Sequence, residues 1–161
     1  MPKLIKDGQL IEDTWVLIED TEANTLPEGK VIIPFTLWEK QKATLKGRTG
    51  LGIWLDSHDE PEGIASELEI FDLIAVNFPK FADGRGYSIA HILKDQLGFK
   101  GELRAIGDVL PDQLHFMRRC GFNSYALRDD KKVDQALHCL NAFSNAYQAA
   151  ADESRPLFLR R

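Results

Sequence analysis

From residue 30 onward, the chain alternates short apolar runs with longer segments of helical periodicity. Five runs are apolar on both faces, as buried parallel strands are, and they comprise residues 31–33, 51–55, 73–77, 103–106 and 124–127. The segment after each run repeats its apolar positions every three to four residues, which is typical of a βα unit. Pro34 and Pro61 suit the first turns of two of these helices, and Gly98 and Gly121 suit the ends of two others.

Five βα units predict an α/β fold with an open, mostly parallel sheet and helices on both faces. Right-handed crossovers allow either a flavodoxin-like, doubly wound sheet or part of a TIM-like barrel. A closed eight-stranded barrel normally needs at least about 200 residues, whereas this chain has 161, so the open sheet is favoured. Both architectures place the loops that follow the strands at one edge, so the expected position of a ligand site is the same.

The two ends of the chain differ from this repeating centre. Residues 1–29 predict a β-hairpin extension that turns at Asp7-Gly8. Residues 30–150 form the expected α/β domain. Residues 151–161 predict an extended tail, because Pro156 biases the preceding residue away from a helix. Docking of this tail to a partner and packing of the tail on its own sheet are both open.

Composition limits the class of protein. Hydrophobic residues make up 43% and charged residues 28% of the chain, which is typical of a globular domain. No apolar run approaches the roughly 20 residues that span a bilayer, and the N-terminus lacks the apolar stretch of a secretory signal. The net charge of −5 argues against a general nucleic-acid binder. We therefore expect a cytoplasmic protein that binds neither membrane nor nucleic acid.

A candidate functional site lies where the third apolar run gives way to a helix. Residues 81–88 read Phe-Ala-Asp-Gly-Arg-Gly-Tyr-Ser. Glycines let the backbone approach a ligand closely, and the Arg85 guanidinium can bind a phosphate, a sulfate-like oxyanion or a carboxylate near the start of the helix. The alternative, of equal weight, is a turn contact between Asp83 and Arg85 with Ser88 as a helix cap.

Further residues at the same sheet edge extend this candidate site. Asp108 can bring a second carboxylate near Asp83 for general acid–base chemistry, although capping of the helix at Pro111 is the favoured alternative. Arg104 lies within a strand and needs a partner, so a structural ion pair is expected. Our candidates for catalysis are Asp83 and Asp108, and our candidates for ligand binding are Asn77, Gly84, Arg85, Gly86, Tyr87, Ser88 and Arg128.

Neither a metal nor a redox cofactor is assigned from the residues. The four histidines are scattered, and Cys120 and Cys139 fall in helical patterns without partners at metal-ligand spacing, so we expect no metal site and reduced, mostly buried thiols. The dinucleotide fingerprint is incomplete, because Gly84 and Gly86 are followed by Ile89 where a third glycine is needed.

Three segments of the chain resemble a known family. They are residues 81–88, the run Gly-Glu-Leu-Arg-Ala-Ile-Gly-Asp-Val-Leu-Pro-Asp-Gln-Leu at 101–114, and the run Met-Arg-Arg-Cys-Gly-Phe at 117–122. They are similar to small bacterial proteins of unknown function that are labelled as probable oxidoreductases of sulfite reduction and are often encoded beside sulfite reductase. The resemblance implies an accessory or electron-transfer component of assimilatory sulfite reduction, with sulfite reductase as its partner. It supplies no catalytic residue.

The residues themselves leave a second function open. The alternative is a small α/β enzyme whose strand-end loops bind a phosphorylated or oxyanion ligand, with Arg85 holding the anion and Asp83 or Asp108 moving a proton. Association of the chain with a second copy of itself is also open.

Overall fold

The computed structural model describes residues 3–79, 84–127 and 133–141. The strands are β1 Lys3–Lys6, β2 Gln9–Glu12, β3 Val16–Leu17, β4 Val31–Pro34, β5 Leu51–Leu55, β6 Leu73–Phe78, β7 Glu102–Gly107 and β8 Ser124–Tyr125. The α-helices are α1 Phe35–Leu45, α2 Arg85–His91, α3 Leu114–Cys120 and α4 Val133–Asn141. A 3₁₀ helix spans Pro61–Ile70, a π-helical turn at Ile92–Gln96 continues α2, and a 3₁₀ turn at Pro111–Gln113 leads into α3.

All eight strands belong to one sheet, and six of them are parallel. The order across the sheet is β2-β1-β8-β7-β6-β5-β4-β3. Strands β3 to β8 pair in parallel, whereas β1 is antiparallel to both β2 and β8. The predicted hairpin is confirmed, because Asp7 and Gly8 turn the chain between β1 and β2 with φ values of 52° and 79°, as a two-residue type I′ turn requires. The mostly parallel α/β sheet is confirmed as well.

The sheet curls toward a barrel. Its two edge strands, β2 and β3, are separated in the chain only by residues 13–15. A flat sheet of eight strands would hold its edges about 34 Å apart, at roughly 4.8 Å between strands. The connection from Glu12 to Val16 reaches at most about 14 Å. Of the two predicted architectures, the structure therefore has the one that resembles part of a TIM barrel.

The described helices pack on one face of this sheet, the outer face, so the expectation of helices on both faces is wrong. Buried residues of α1 to α4 share one apolar cluster with outward-pointing strand residues such as Ile53 and Val76. The opposite, inner face has a small separate cluster to which no described helix contributes, formed by Ile32, Leu73, Ala75 and Ile106. Right-handed crossovers between strands in consecutive order keep every helix on one side, whereas a doubly wound sheet requires the order to reverse.

A buried ion-pair network occupies part of the inner face. Arg104 is 2% exposed, and its guanidinium donates to Glu102 Oε2 at 2.8 Å, to Asp13 Oδ1 at 3.0 Å and to Ser124 Oγ at 3.1 Å. Lys6 Nζ lies 2.8 Å from Glu102 Oε1. The predicted structural pairing of Arg104 is confirmed. Because Asp13 lies in the link between the two edge strands, the network ties that link to the centre of the sheet.

The predicted helix ends are confirmed at two glycines. Gly98 follows the π-helical turn with a φ of 71°, and Gly121 caps α3 with a φ of 117°, both in the left-handed region that glycine adopts without strain. The segment that begins at Pro61 is a 3₁₀ helix in place of the expected α-helix. No helix in the described part of the chain is long and apolar enough to cross a membrane. The expected tail at 151–161 lies outside the described residues.

Candidate functional site

The carboxyl ends of β5 and β6 bring two polar side chains together. Asn77, near the end of β6, donates from Nδ2 to Asp56 Oδ1 at 3.2 Å. The loop after β5 holds Asp56 in place, because its Oδ1 also accepts the Ser57 N–H at 2.8 Å and its own N–H donates to Asp59 Oδ2 at 2.8 Å. These contacts order a carboxylate–amide pair at the edge where ligands of parallel α/β proteins bind.

Gly107 fixes the space beside Asn77. Its φ of 88° lies in the left-handed region, and a Cβ at this position would meet Asn77 Oδ1 and lie 2.6 Å from the carbonyl oxygen of Phe78. Glycine is therefore required both by the backbone conformation and by the space. The Asp108 N–H donates to the same Phe78 carbonyl at 2.7 Å, so the ends of β6 and β7 are tied together.

A cavity of about 150 Å³ opens beside Asn77 on the inner face. Residues at the carboxyl ends of β3, β5, β6 and β7 line it, namely Leu17, Glu19, Trp54, Asn77 and Ile106. The half-buried indole of Trp54 donates from Nε1 to the carbonyl oxygen of Ile18 at 2.8 Å, which holds the ring beside the segment that follows β3. The cavity thus combines apolar walls with one carboxylate and one amide, as small-molecule sites commonly do.

Two larger grooves lie at the opposite edge of the sheet. One of about 590 Å³ runs between the 3₁₀ helix at Pro61–Ile70 and the segment 97–101, and another of about 550 Å³ lies among residues that precede β4, β5 and β6. Both are at the amino ends of parallel strands, whereas ligands in such sheets bind outside the carboxyl ends. The smaller cavity is therefore the better candidate site.

Gly86 and Tyr87 of the predicted glycine–arginine loop lie on the other side of the sheet from the cavity. Phe78 follows Asn77 in β6 and points to the outer face, where a Cβ on Gly86 would lie 2.6 Å from its ring. Tyr87 packs between Phe78 and Phe116, with ring centroids 5.1 and 4.9 Å away. Gly86 and Tyr87 therefore make packing contacts between α2 and neighbouring elements, and the structure does not bring them to Asn77.

The phenol of Tyr87 is protonated at neutral pH. Its burial raises the pKa of the hydroxyl above the ordinary value, and negative charge on the nearby Cys120 and Asp112 raises this pKa further. In the protonated form, the hydroxyl can donate as well as accept a hydrogen bond.

The remaining residues of the predicted loop are at the protein surface. Helix α2 begins at Arg85 with Gly84 as its N-cap, and Gly84, Arg85 and Ser88 are exposed. Ser88 lies inside the helix, so its predicted role as a cap is wrong. Asp83 lies outside the described residues, so the predicted turn contact with Arg85 is not described.

The remaining sequence predictions concern Asp108, Arg128, the two cysteines and metal binding. Asp108 does not cap the next helix, because the 3₁₀ turn at Pro111–Gln113 has Leu110 as its N-cap and no side-chain cap. Arg128 lies outside the described residues. Cys120 and Cys139 form no disulfide and are half-buried, whereas mostly buried thiols are predicted. Among the residues in 3–79, 84–127 and 133–141, no group of three or more His, Cys, Asp or Glu is arranged to hold a metal ion.

Sequence reasoning missed most of the cavity wall. Trp54 carries a usable signal, because the alternation of β5 places it on the same face as Asp56, two positions later. Leu17 and Glu19 carry none, because residues 15–18 are predicted as part of a hairpin or edge ribbon. Residues 16 and 17 form β3, an edge strand of the sheet that is parallel to β4.

A mostly parallel sheet curled toward a barrel, with helices on its outer face, defines a barrel-like α/β protein, and a cavity lies at the carboxyl edge of this sheet. The chain belongs to the family described as bacterial protein of unknown function (DUF934), which matches residues 52–158. This confirms the resemblance to a bacterial family of unknown function. No curated protein matches the chain. The matched region includes Trp54, Asn77 and Gly107, but it does not reach Glu19.

Proposed function

We propose that the protein binds a small ligand at the carboxyl edge of its sheet and serves assimilatory sulfite reduction as an accessory component. The ligand-binding part is carried by the Asp56–Asn77 pair, which loop contacts hold in place beside the 150 Å³ cavity. The sulfite-reduction part is supported by the resemblance of segments 81–88, 101–114 and 117–122. Sulfite reductase is the implied partner, and in this proposal the reductase carries the redox cofactors.

Growth on different sulfur sources tests both parts together. A strain that lacks the gene should grow on cysteine but poorly on sulfate or sulfite, and the wild-type gene should restore growth. Asn77→Ala removes the amide of the carboxylate–amide pair and should fail to restore growth. The matched control is Gln96→Ala, which truncates an exposed amide in the π-helical turn and should restore it.

The stability of the Asn77 variant decides how a failure is interpreted. Loss of one partly buried hydrogen bond costs about 1 kcal/mol, so Asn77→Ala should fold and melt a few degrees below wild type. A folded Asn77→Ala protein that restores growth fully would contradict the proposed site.

Anion binding by Arg85 is a second part of the proposal. Arg85 is exposed at the start of α2, and a guanidinium presents paired donors that match an oxyanion. Helix α2 packs on the outer face, so this anion position is distinct from the inner-face cavity. Arg85→Ala should weaken anion binding by about 1.5–3 kcal/mol, the range for a hydrogen bond to a charged group. Thermal-shift titrations with sulfate, sulfite, phosphate and nucleotides measure the anion affinity of both proteins. Equal responses of wild type and variant would show that Arg85 does not bind an anion and that the loop has a structural role.

A small enzyme acting on an oxyanion or phosphorylated ligand is the alternative function. It is favoured by the backbone bond that ties Asp108 to the end of β6, one residue from Asn77, where a carboxylic acid could transfer a proton. The visible absorption spectrum of the purified protein separates the two functions. A flavin or siroheme band would favour the enzyme, whereas a colourless protein that co-purifies with sulfite reductase would favour the accessory role.

A further inference from the structure

The residues that line the inner-face cavity include one carboxylate, one amide and one indole. We infer that the cavity lined by Leu17, Glu19, Trp54, Asn77 and Ile106 binds the ammonium group of a small organic amine. This inference rests on the proposed ligand site at the carboxyl edge, and it names the chemical class of the ligand at that site.

The polar groups of the cavity favour a ligand that donates hydrogen bonds. Asn77 uses its Nδ2 to donate to Asp56, which turns its Oδ1, an acceptor, toward Gly107. Glu19 contributes a carboxylate, which only accepts hydrogen bonds when ionised. The indole N–H of Trp54 is already bonded to the Ile18 carbonyl. An ammonium group carries three donors and no acceptor, so it matches this set.

The charge of the cavity also favours a cation. Glu19 has no ion-pair partner in the described part of the chain, and no Lys, Arg or His among the described residues lines the cavity. Arg104 is the buried cation of the inner face, and its guanidinium already donates to Glu102, Asp13 and Ser124. Glu19 is exposed, so a positively charged ligand would form an ion pair with it at the mouth of the cavity.

Trp54 gives the ammonium group a second favourable contact. In the sheet register, its neighbours are Pro34 on β4 and Ala75 on β6, which have no polar side-chain atoms. Trp54 lines the cavity, and its N–H is already bonded to a carbonyl. Tryptophan is the aromatic side chain that attracts cations most strongly through its ring face.

The volume limits the size of the ligand. About 150 Å³ is below the roughly 300–1,000 Å³ of pockets that hold drug-sized ligands, which favours an ammonium group with a short carbon chain. A longer ligand would extend over Leu17, which is 40% exposed at the edge of the sheet.

Titration of the full-length protein with three probes of equal size tests the inference. The probes are n-propylammonium, n-propanol and propionate, and the readout is the indole N–H resonance of Trp54 in ¹⁵N-labelled protein. The chain has 3 tryptophans, so Trp54→Phe identifies the resonance. We expect n-propylammonium to shift it saturably, n-propanol to shift it more weakly, and propionate to leave it in place.

Two substitutions that remove the same charge sharpen the test. Glu19→Gln should weaken n-propylammonium binding by up to about fivefold, because the ligand loses an ion pair with an exposed carboxylate. Glu39→Gln removes an exposed carboxylate on α1, which packs on the outer face, and it should bind like wild type. Equal binding by the two variants, or an equal shift with propionate, would overturn the inference.

The failure of this inference and the failure of the proposed function give different results. If sulfite or phosphate shifts the Trp54 resonance and n-propylammonium does not, the amine assignment is wrong while the carboxyl-edge site stands. If no probe shifts the resonance and Asn77→Ala restores growth on sulfite, the site and the amine assignment are both wrong.

Discussion

Replacing Arg104 with methionine should remove a large part of the stability of the fold. The guanidinium is 2% exposed and makes three side-chain hydrogen bonds. Methionine leaves the carboxylates of Glu102 and Asp13 on the inner face with side chains only 9% and 15% exposed. Removing one partner of a buried ion pair costs about 3–5 kcal/mol, because an uncompensated buried charge remains.

The remaining contacts place the expected loss near the lower end of that range. Glu102 Oε1 keeps Lys6 Nζ at 2.8 Å, and Asp13 Oδ1 keeps the N–H of Trp15 at 3.0 Å. We therefore expect a loss of about 3 kcal/mol. Single domains unfold with about 5–15 kcal/mol, so the variant should remain folded at low temperature with a markedly lower stability.

Urea denaturation monitored by circular dichroism measures this loss. The matched control is Lys42→Met, which breaks the pair between Lys42 Nζ and Glu67 Oε1 at 3.0 Å, where the lysine side chain is 38% exposed. That variant should lose less than about 1 kcal/mol, as partly exposed pairs do. Arg104→Lys keeps the charge but loses the fork-shaped set of donors, so its stability should be intermediate.

Hydrogen exchange shows which strands lose stability when Arg104 is replaced. Asp13 lies directly after β2, so loss of its bond to Arg104 should speed hydrogen exchange at backbone amides of β1 and β2 more than at those of β5 and β6. The reasoning is refuted if Arg104→Met loses no more stability than Lys42→Met, since the network would then contribute no more than a surface pair.

Three further predictions concern the site and its surroundings. Gly107→Ala should destabilise the protein by about 2–5 kcal/mol. The left-handed φ costs roughly 1–2 kcal/mol, and overpacking against Asn77 costs roughly 1–3 kcal/mol. Thermal denaturation should show a smaller loss of stability for the control Gly8→Ala, where φ is also positive but the space is open. The raised pKa of Tyr87 stabilises the fold fully below the unfolded tyrosine pKa of about 10, and this contribution is lost as pH rises through the folded value. Wild type should therefore lose more unfolding free energy than Tyr87→Phe between about pH 9 and pH 11. Replacing both Cys120 and Cys139 with alanine should lower stability through lost packing and leave sulfite-dependent growth intact. If the double variant folds but its strain fails to grow on sulfite, a thiol is needed for function.

The strands and the hairpin could be predicted from sequence, but the curl of the sheet could not. Apolar runs mark β4 to β8, and Asp7-Gly8 marks the hairpin turn. The argument from length failed because it assumed that every barrel strand needs a βα unit of its own. Here β1, β2 and β3 fit within residues 3–17 with no helix between them. Short strands that pair with distant residues leave little local signal, since their pairing depends on tertiary contacts.

Sequence reasoning selected the carboxyl edge of the sheet, where the cavity lies, but of the predicted site residues that the structure describes only Asn77 lines that cavity. Asn77 lies near the end of β6 and Asp56 follows the adjacent strand β5, so the rule about carboxyl ends places them together, and the structure does so. The glycine–arginine loop was expected at the same place because it follows Asn77 closely in the chain. Consecutive strand residues point to opposite faces, and Phe78 carries the contacts of Gly86 and Tyr87 to the outer face. Gly86 and Tyr87 are therefore close to Asn77 in sequence but lie on the opposite face of the sheet.

The described charged side chains of the inner face include a buried ion-pair network and the carboxylate of Glu19 beside the cavity. Arg104 and its carboxylate partners bond to one another, so they need nothing from outside the protein. Glu19 lies beside a cavity without a described ion-pair partner. The family match at residues 52–158 includes Trp54 and Asn77 but excludes Glu19. The shared region thus supplies the ring and the amide, whereas the segment around β3 supplies the charge. Exchanging Glu19 for a basic residue should therefore change the class of ligand from cation to anion while leaving the sheet intact, because its side chain belongs to neither apolar cluster.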